Sequence, residues 1–378
     1  MKVLISVTHL LGTGHLARAI ALADAFASAG HDALILSGGM PAPHLHPGST
    51  AKLVQVPPVR SDGVDFANLL DPDGRPVADD YRSKRETAFN EALQSFEPDV
   101  VITELFPFGR RVLAGEFESL LRAARALAPR PLVFCSIRDV LAPPSSEKKA
   151  QQTSDRIRDF YDGVMVHGDP GITPLEQSWP VTPEIAAKLA YTGFIAPTLP
   201  AAAPEGDGAD EVLVTAGGGP VGDSLFRASV AAAANSGKTW RLLVGGGDRE
   251  TRMAELRKRA TPNVIIESVR PDFREVLQRA ALSVSQAGYN TMMDLAASGA
   301  PAVLVPFEDG GETEQLQRAE AFAKRFPMTV LRDRDLTPER LLTAVRGALE
   351  RPRPHVAAEI SLDGAARSVE VIEEALKR

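Results

Sequence analysis

Short runs of branched apolar residues alternate with longer amphipathic stretches along this chain, and they do so twice. Residues 3–7, 33–36, 100–102, 132–134 and 164–166 carry the pattern in the first half, and residues 211–215, 241–244, 264–266, 282–284 and 302–305 repeat it in the second. Apolar runs this short, separated by helical lengths, read as strands buried on both faces, the pattern of a parallel sheet covered by helices. Residues 15–29 place Leu16, Ile20 and Ala23 on one helical side and stop at Gly30, which suits a left-handed C-terminal cap. The expectation is α/β with two Rossmann-like domains: one over 1–198, a Pro/Ala/Gly-rich linker over 199–210, a second over 211–360, and a C-terminal helix over 361–378 whose packing periodicity leaves undecided.

Charge removes one class of partner. Lys and Arg total 42 against 49 Asp and Glu, a net −7, the wrong sign for a chain that lives on nucleic-acid phosphates. The single cysteine, Cys135, lies in an apolar run and reads as a buried strand residue in a reducing cytoplasm. Lys2, the apolar residues 3–7 and Ala17, Arg18, Ala19 imitate a signal peptide, but Thr8, His9 and the polar turn after them break the apolar stretch into strand, loop and helix. With no run near the roughly 18 apolar residues of a span, membrane contact is at most peripheral.

Ligands of open α/β sheets bind beyond the carboxyl ends of strands, so the loops there matter most. Four are glycine-bearing: Gly12 to His15, Gly217 to Gly219, Gly245 to Gly247, and Gln286 to Asn290 around Gly288. Glycine lets backbone approach a ligand, and a helix start offers unpaired N–H groups, so several such turns favour a nucleotide diphosphate. Neither a Walker lysine nor a complete Gly-x-Gly-x-x-Gly is present. His15 combines a helix start with the side chain best suited to a general base near neutral pH. Glu104, Arg138, Asp139 and His167 follow predicted strands of the first half, where an acceptor or catalytic group would be held, although structural ion pairing explains them nearly as well. Asp71-x-Asp73 and Asp333-x-Asp335 mimic a metal motif but sit among turn formers, and His44-x-His46 lacks nearby thiol or carboxylate partners, so no metal site is expected.

These residues resemble the GT-B glycosyltransferases of the MurG-like family, UDP-N-acetylglucosamine transferases of peptidoglycan precursor synthesis. The likeness runs through Gly217 to Gly219, residues 285–297 and residues 299–307, and in the first half through Gly12-x-Gly14-His15. Residues 103–109, 136–139 and 167–170 are similar to a group of bacterial predicted glycosyltransferases of undefined substrate. The resemblance implies GT-B architecture, with two Rossmann-like domains facing an interdomain cleft. It implies Gly218 and Gly219 at the donor diphosphate, Gly14 among the donor-binding residues, the backbone of Ala287 and Gly288 at a phosphate, and Val269 at the uracil edge. Asp294 stands in for a glutamate at the ribose, and Glu314 and Gln315 for a Gln-Gln pair at the donor sugar, with Arg318 replacing an asparagine. His15 would be the base, with Glu104 or Asp139 sharing the catalytic role and Arg18, Arg138 and His167 on the acceptor. The implied reaction is inverting, metal-independent transfer from a UDP-sugar co-substrate to an acceptor hydroxyl, small or lipid-linked, in the cytoplasm or at the inner membrane face, with no other cofactor. Gly-x-Gly-His-x-x-Arg, completed by Arg18, is also similar to the UDP-sugar hydrolase of pseudaminic acid synthesis. A hydrolase and a non-catalytic nucleotide-sugar binder therefore stay open.

Overall fold

The computed structural model describes residues 1–45, 48–63, 65–201, 203–217 and 221–378. The chain divides into two compact units, one formed by Met1–Ile195 with Asp363–Arg378 and the other by Ala196–Leu362.

The first unit contains β1 (Lys2–Val7), α1 (Gly14–Ser28), β2 (Asp32–Gly39), β3 (Lys52–Asp62), β4 (Asp65–Leu70), α2 (Asp79–Phe96), β5 (Val100–Glu104), α3 (Ala114–Ala126), β6 (Leu132–Arg138), α4 (Glu147–Phe160), β7 (Gly163–His167), α5 (Pro183–Ala186) and β8 (Leu189–Tyr191). Its sheet runs β4-β3-β2-β1-β5-β6-β7-β8. Every pair is parallel except β3 with β4. The strand order reverses between β1 and β5, so the loops after these two strands leave the sheet side by side. Gly30 takes φ of 84° directly after α1, as its sequence position implied. Cys135 is fully buried in β6.

The second unit contains β9 (Val212–Thr215), α6 (Asp223–Ala233), β10 (Trp240–Val244), α7 (Arg249–Arg257), β11 (Val264–Ser268), α8 (Phe273–Arg279), β12 (Leu282–Ser285), α9 (Tyr289–Ser298), β13 (Ala302–Leu304), α10 (Glu314–Arg325), β14 (Thr329–Val330), α11 (Pro338–Leu349) and α12 (Val356–Glu359). Its all-parallel sheet, β11-β10-β9-β12-β13-β14, reverses order between β9 and β12. The final helix, α13 (Gly364–Leu376), returns to the first unit, where Val369 and Ile372 join the core formed by α1 and the first sheet. A side chain at position 364 would bring its Cβ within 2.4 Å of the Gly193 carbonyl, so glycine is needed where the chain re-enters.

The segment read as a linker is anchored rather than free. Arg241 donates to Asp207 at 3.0 Å, Gln278 donates to the Pro200 carbonyl at 2.9 Å, and Ala209 bridges to Ala280. Its composition is poor in packing side chains, but charge and backbone bonds hold it to the second unit.

Candidate functional site

In the first unit, the reversal between β1 and β5 brings the start of α1 against the end of β5. His15, in the first turn of α1, holds Nδ1 2.9 Å from Glu104 Oε1, and Arg18, one turn further along, pairs with the same carboxylate while its Nη2 lies 3.1 Å from His15 Nδ1. Ser136, near the end of β6, donates to Glu104 Oε2 at 2.6 Å. Its hydroxyl lies 2.9 Å from His167 Nε2 at the end of β7, and His167 Nδ1 lies 2.8 Å from the Thr192 hydroxyl just past β8. Four adjacent strand ends thus supply one hydrogen-bonded chain.

Glu104 only accepts and Arg18 only donates at His15 Nδ1, and Glu104 is the nearer; in the tautomer that donates to Glu104 the ring proton sits on Nδ1 and the Nε2 lone pair remains. Burial, then the nearby Arg110 guanidinium, lowers the His15 pKa to about 3, which keeps the ring neutral. Burial alone would raise the Glu104 pKa, but Arg18 and His15 hold it well below the carboxylate range. Burial and then Arg18 lower His167 to about 3 as well. Arg110, whose Nε donates to the Thr8 carbonyl at 2.6 Å, is lowered by burial to about 10 and stays charged at neutral pH. The His15 side chain keeps 16% of its surface open. The pair can therefore accept a proton at Nε2 while Glu104 stabilises the resulting imidazolium.

Three sequence expectations change here. His167 is fully enclosed with both ring nitrogens engaged, so it braces Ser136 and has no polar atom for an acceptor. Arg18 is buried in its pair with Glu104. Asp139 is fully buried, packed so closely under Gly168 that a Cβ there would meet its own Cβ at 2.8 Å, and it cannot reach a substrate. Arg138 is half-buried beside His167 in the β6–β7 register. Gly14 is half-buried and opens α1. Sequence reading gave Ser136 no role and passed over Thr192, since nothing local marks a hydroxyl whose partner lies on another strand.

In the second unit, the loops at the β9–β12 reversal carry the predicted donor residues. Gly218 and Gly219 lie outside the described residues. Gly217 takes φ of 76° and donates to Thr215 Oγ1 at 3.1 Å. Gly222 takes φ of 92° before α6, where a Cβ would meet that of Ala216 at 2.3 Å. Gly288 caps α9, with no side chain closing the first turn and no atom within 4 Å of where its Cβ would stand. An anion can approach there along the helix dipole.

Ala287 departs from expectation. Its N–H donates to Gln315 Oε1 at 2.9 Å and its carbonyl accepts from Arg318 Nη1 at 3.1 Å, so both backbone groups are taken by α10. Gln315 Oε1 also accepts from Phe307 N–H at 3.1 Å, which leaves only its amide NH2 for a sugar. Arg318 is fully buried over the Tyr289 ring, and Glu314 is buried too. Gln315 and Arg318 thus tie α10 to the β12–α9 loop, with Glu314 buried at the start of that helix. Asp294, on α9, is mostly enclosed, and burial raises its pKa while Arg274 donates to its Oδ1 at 2.9 Å. Arg274, which the sequence did not flag, takes Oδ1 and leaves Oδ2 as a further acceptor. Val269 has a 43% exposed side chain, but its N–H donates to the Val244 carbonyl, so its own carbonyl is the group left for a base.

Both Asp-x-Asp look-alikes are structural. Asp71 closes a turn with Gly74 and Arg75, while Asp333 and Asp335 take Ser224 and Arg340. Among the described residues no three His, Cys, Asp or Glu side chains gather as a metal site. His46 lies outside them.

Two order-reversing, mostly parallel sheets, each with glycine-bearing loops at the reversal, make up the GT-B fold, and solved structures with that fold align along the whole chain. The calicheamicin glycosyltransferase CalG4 aligns with a TM-score of 0.66 at 19% identity, covering 100% of this chain and 98% of that one. MurG of Acinetobacter baumannii aligns with a TM-score of 0.64 at 17% identity, covering 99% and 100%. Residues 217–370 match the glycosyltransferase family 28 C-terminal domain. Among sequences, the chain is similar to the UDP-N-acetylglucosamine--N-acetylmuramyl-(pentapeptide) pyrophosphoryl-undecaprenol N-acetylglucosamine transferase of Rippkaea orientalis, 40% identical over 77 residues, which cover 20% of this chain and 22% of that protein. The chain thus spans about a fifth of that relative's length.

Proposed function

We propose that this protein is a glycosyltransferase that moves a sugar from a UDP-linked donor to an acceptor hydroxyl, with inversion and without a metal ion. The observation that carries the reading is the His15–Glu104 pair at a sheet reversal, in a chain whose other half matches a family 28 domain. The acceptor oxygen attacks the anomeric carbon, its proton passes to His15 Nε2, and the bond to the diphosphate breaks to release UDP. The open first turn of α9 at Gly288 holds the leaving phosphate, with Gly218 and Gly219 as the glycines of the phosphate loop, and Gly14 is kept as a donor-binding residue of the first unit. Asp294 Oδ2 accepts from the ribose, the Val269 carbonyl meets uracil N3–H, and the Gln315 amide faces the donor sugar. On the acceptor side the reading uses Arg138, half-buried at the end of β6. No helix of the described residues is long and apolar enough to cross a membrane. A lipid-linked acceptor would be met peripherally, at the inner face.

The test is UDP release from UDP-sugars with product analysis, with and without an acceptor. A glycoside product supports transfer, free sugar alone reassigns the site to hydrolysis, and binding without turnover leaves a nucleotide-sugar binder. Activity is expected to survive exhaustive chelation by EDTA. Loss of rate that magnesium or manganese restores would overturn the amide-based departure of the diphosphate.

A further inference from the structure

The first unit holds a pocket of about 550 Å³ where the end of β2 lies beside the start of β3. These strands continue the sheet beyond β1, with Val7 beside Ser37 and Ser37 beside Gln55 in the register. Leu16, which follows His15 in α1, forms one wall, Leu53 another, and the loop of residues 41–43, Pro-Ala-Pro, a third. Among the described residues no charged side chain lines it. Its volume is that of a small-molecule site.

The polar groups are few and specific. Ser37 is 1% exposed and its hydroxyl has no hydrogen-bond partner, an uncompensated polar atom in an otherwise satisfied strand. Gln55 turns its amide nitrogen to three backbone carbonyls, those of Ser37, Gly39 and Val56, at 2.7 to 2.9 Å. That fixes the amide orientation and leaves Gln55 Oε1 as an acceptor. A sugar ring or a phosphate needs many donors or a charge, and the described residues of this pocket supply neither.

We propose that this pocket binds the uncharged apolar part of the acceptor, a ring system or short hydrocarbon body bearing one hydrogen-bonding oxygen that meets Ser37 Oγ. The inference rests on the glycosyltransferase reading for its purpose, but its test does not require turnover. Binding of 2-naphthol to the full chain is followed by the probe's own fluorescence, with methyl β-glucoside as the polar competitor and UDP-induced thermal stabilisation measured in parallel. Wild type is expected to bind 2-naphthol in the micromolar to millimolar range and to ignore the glucoside. Ser37→Ala, which removes an unpaired hydroxyl and leaves the fold intact or slightly firmer, should weaken the probe about 3- to 10-fold. Ala42→Trp, which fills the pocket, should weaken it more than tenfold. Neither change should alter UDP stabilisation. No naphthol binding by wild type overturns the proposal, as does equal binding by both variants or displacement by the glucoside. Failure of UDP to stabilise the protein counts against the transferase reading alone.

Discussion

His15 can act as a base only when its Nε2 is unprotonated, and burial with Arg110 keeps it so far into acid. The rate of UDP release should therefore stay level as pH falls through 6.5 and decline only towards about 3. A half-maximal loss near 6.5 in folded protein would falsify the buried, neutral assignment. Stability follows the opposite boundary. Unfolded histidines take up protons below about 6.5, the folded His15 and His167 refuse them until about 3, and the melting temperature should fall across that window. His167→Gln should flatten the slope. His15→Ala should lower turnover by roughly 10²- to 10⁴-fold while UDP affinity stays within a small factor. Asp294→Ala should weaken UDP by roughly 10- to 150-fold, the worth of a hydrogen bond to a charged group, measured by calorimetry on protein with a native melting curve. The places of His15, at the start of α1, and Glu104, at the end of β5, were legible because each stands at the edge of its own element. The true part of His167 was not, since the residue type was right while its complete burial depends on β8 lying alongside β7.

Elements show where local pattern failed. β3 carries Pro57 and Pro58, which remove ladder donors, and its pairing with β2 skips from Ser37–Gln55 to Gly39–Val59 to pass them. A periodicity reading sees two prolines and no strand, whereas the apolar runs at β1, β5 and β9 were plain. The α10 joint was also invisible, because a Gln reads as a surface or ligand residue until its acceptor oxygen is found between two N–H groups. Gln315→Leu should leave Ala287 and Phe307 N–H unpaired at about 1–3 kcal/mol for each, seen as a lower midpoint in urea. Gln315→Glu keeps an acceptor and should recover much of that loss.

At the scale of the whole molecule, the first unit is discontinuous. The chain leaves it after Ile195 and returns at Asp363, residues that bridge each other, while Ala196 N–H donates to the Leu362 carbonyl at 3.3 Å. Ile372→Ala, deleting a fully buried contact of α13, should cost about 2–5 kcal/mol in the unfolding of the first unit. The second unit should melt unchanged, which differential calorimetry can resolve. On the ribosome, the order of release then inverts the usual sequence of domain completion. Every residue of the second unit has been synthesised before α13 is made, so the insert can close while its host still waits, its β-sheet drawn but one side of its core bare, for the last helix to arrive.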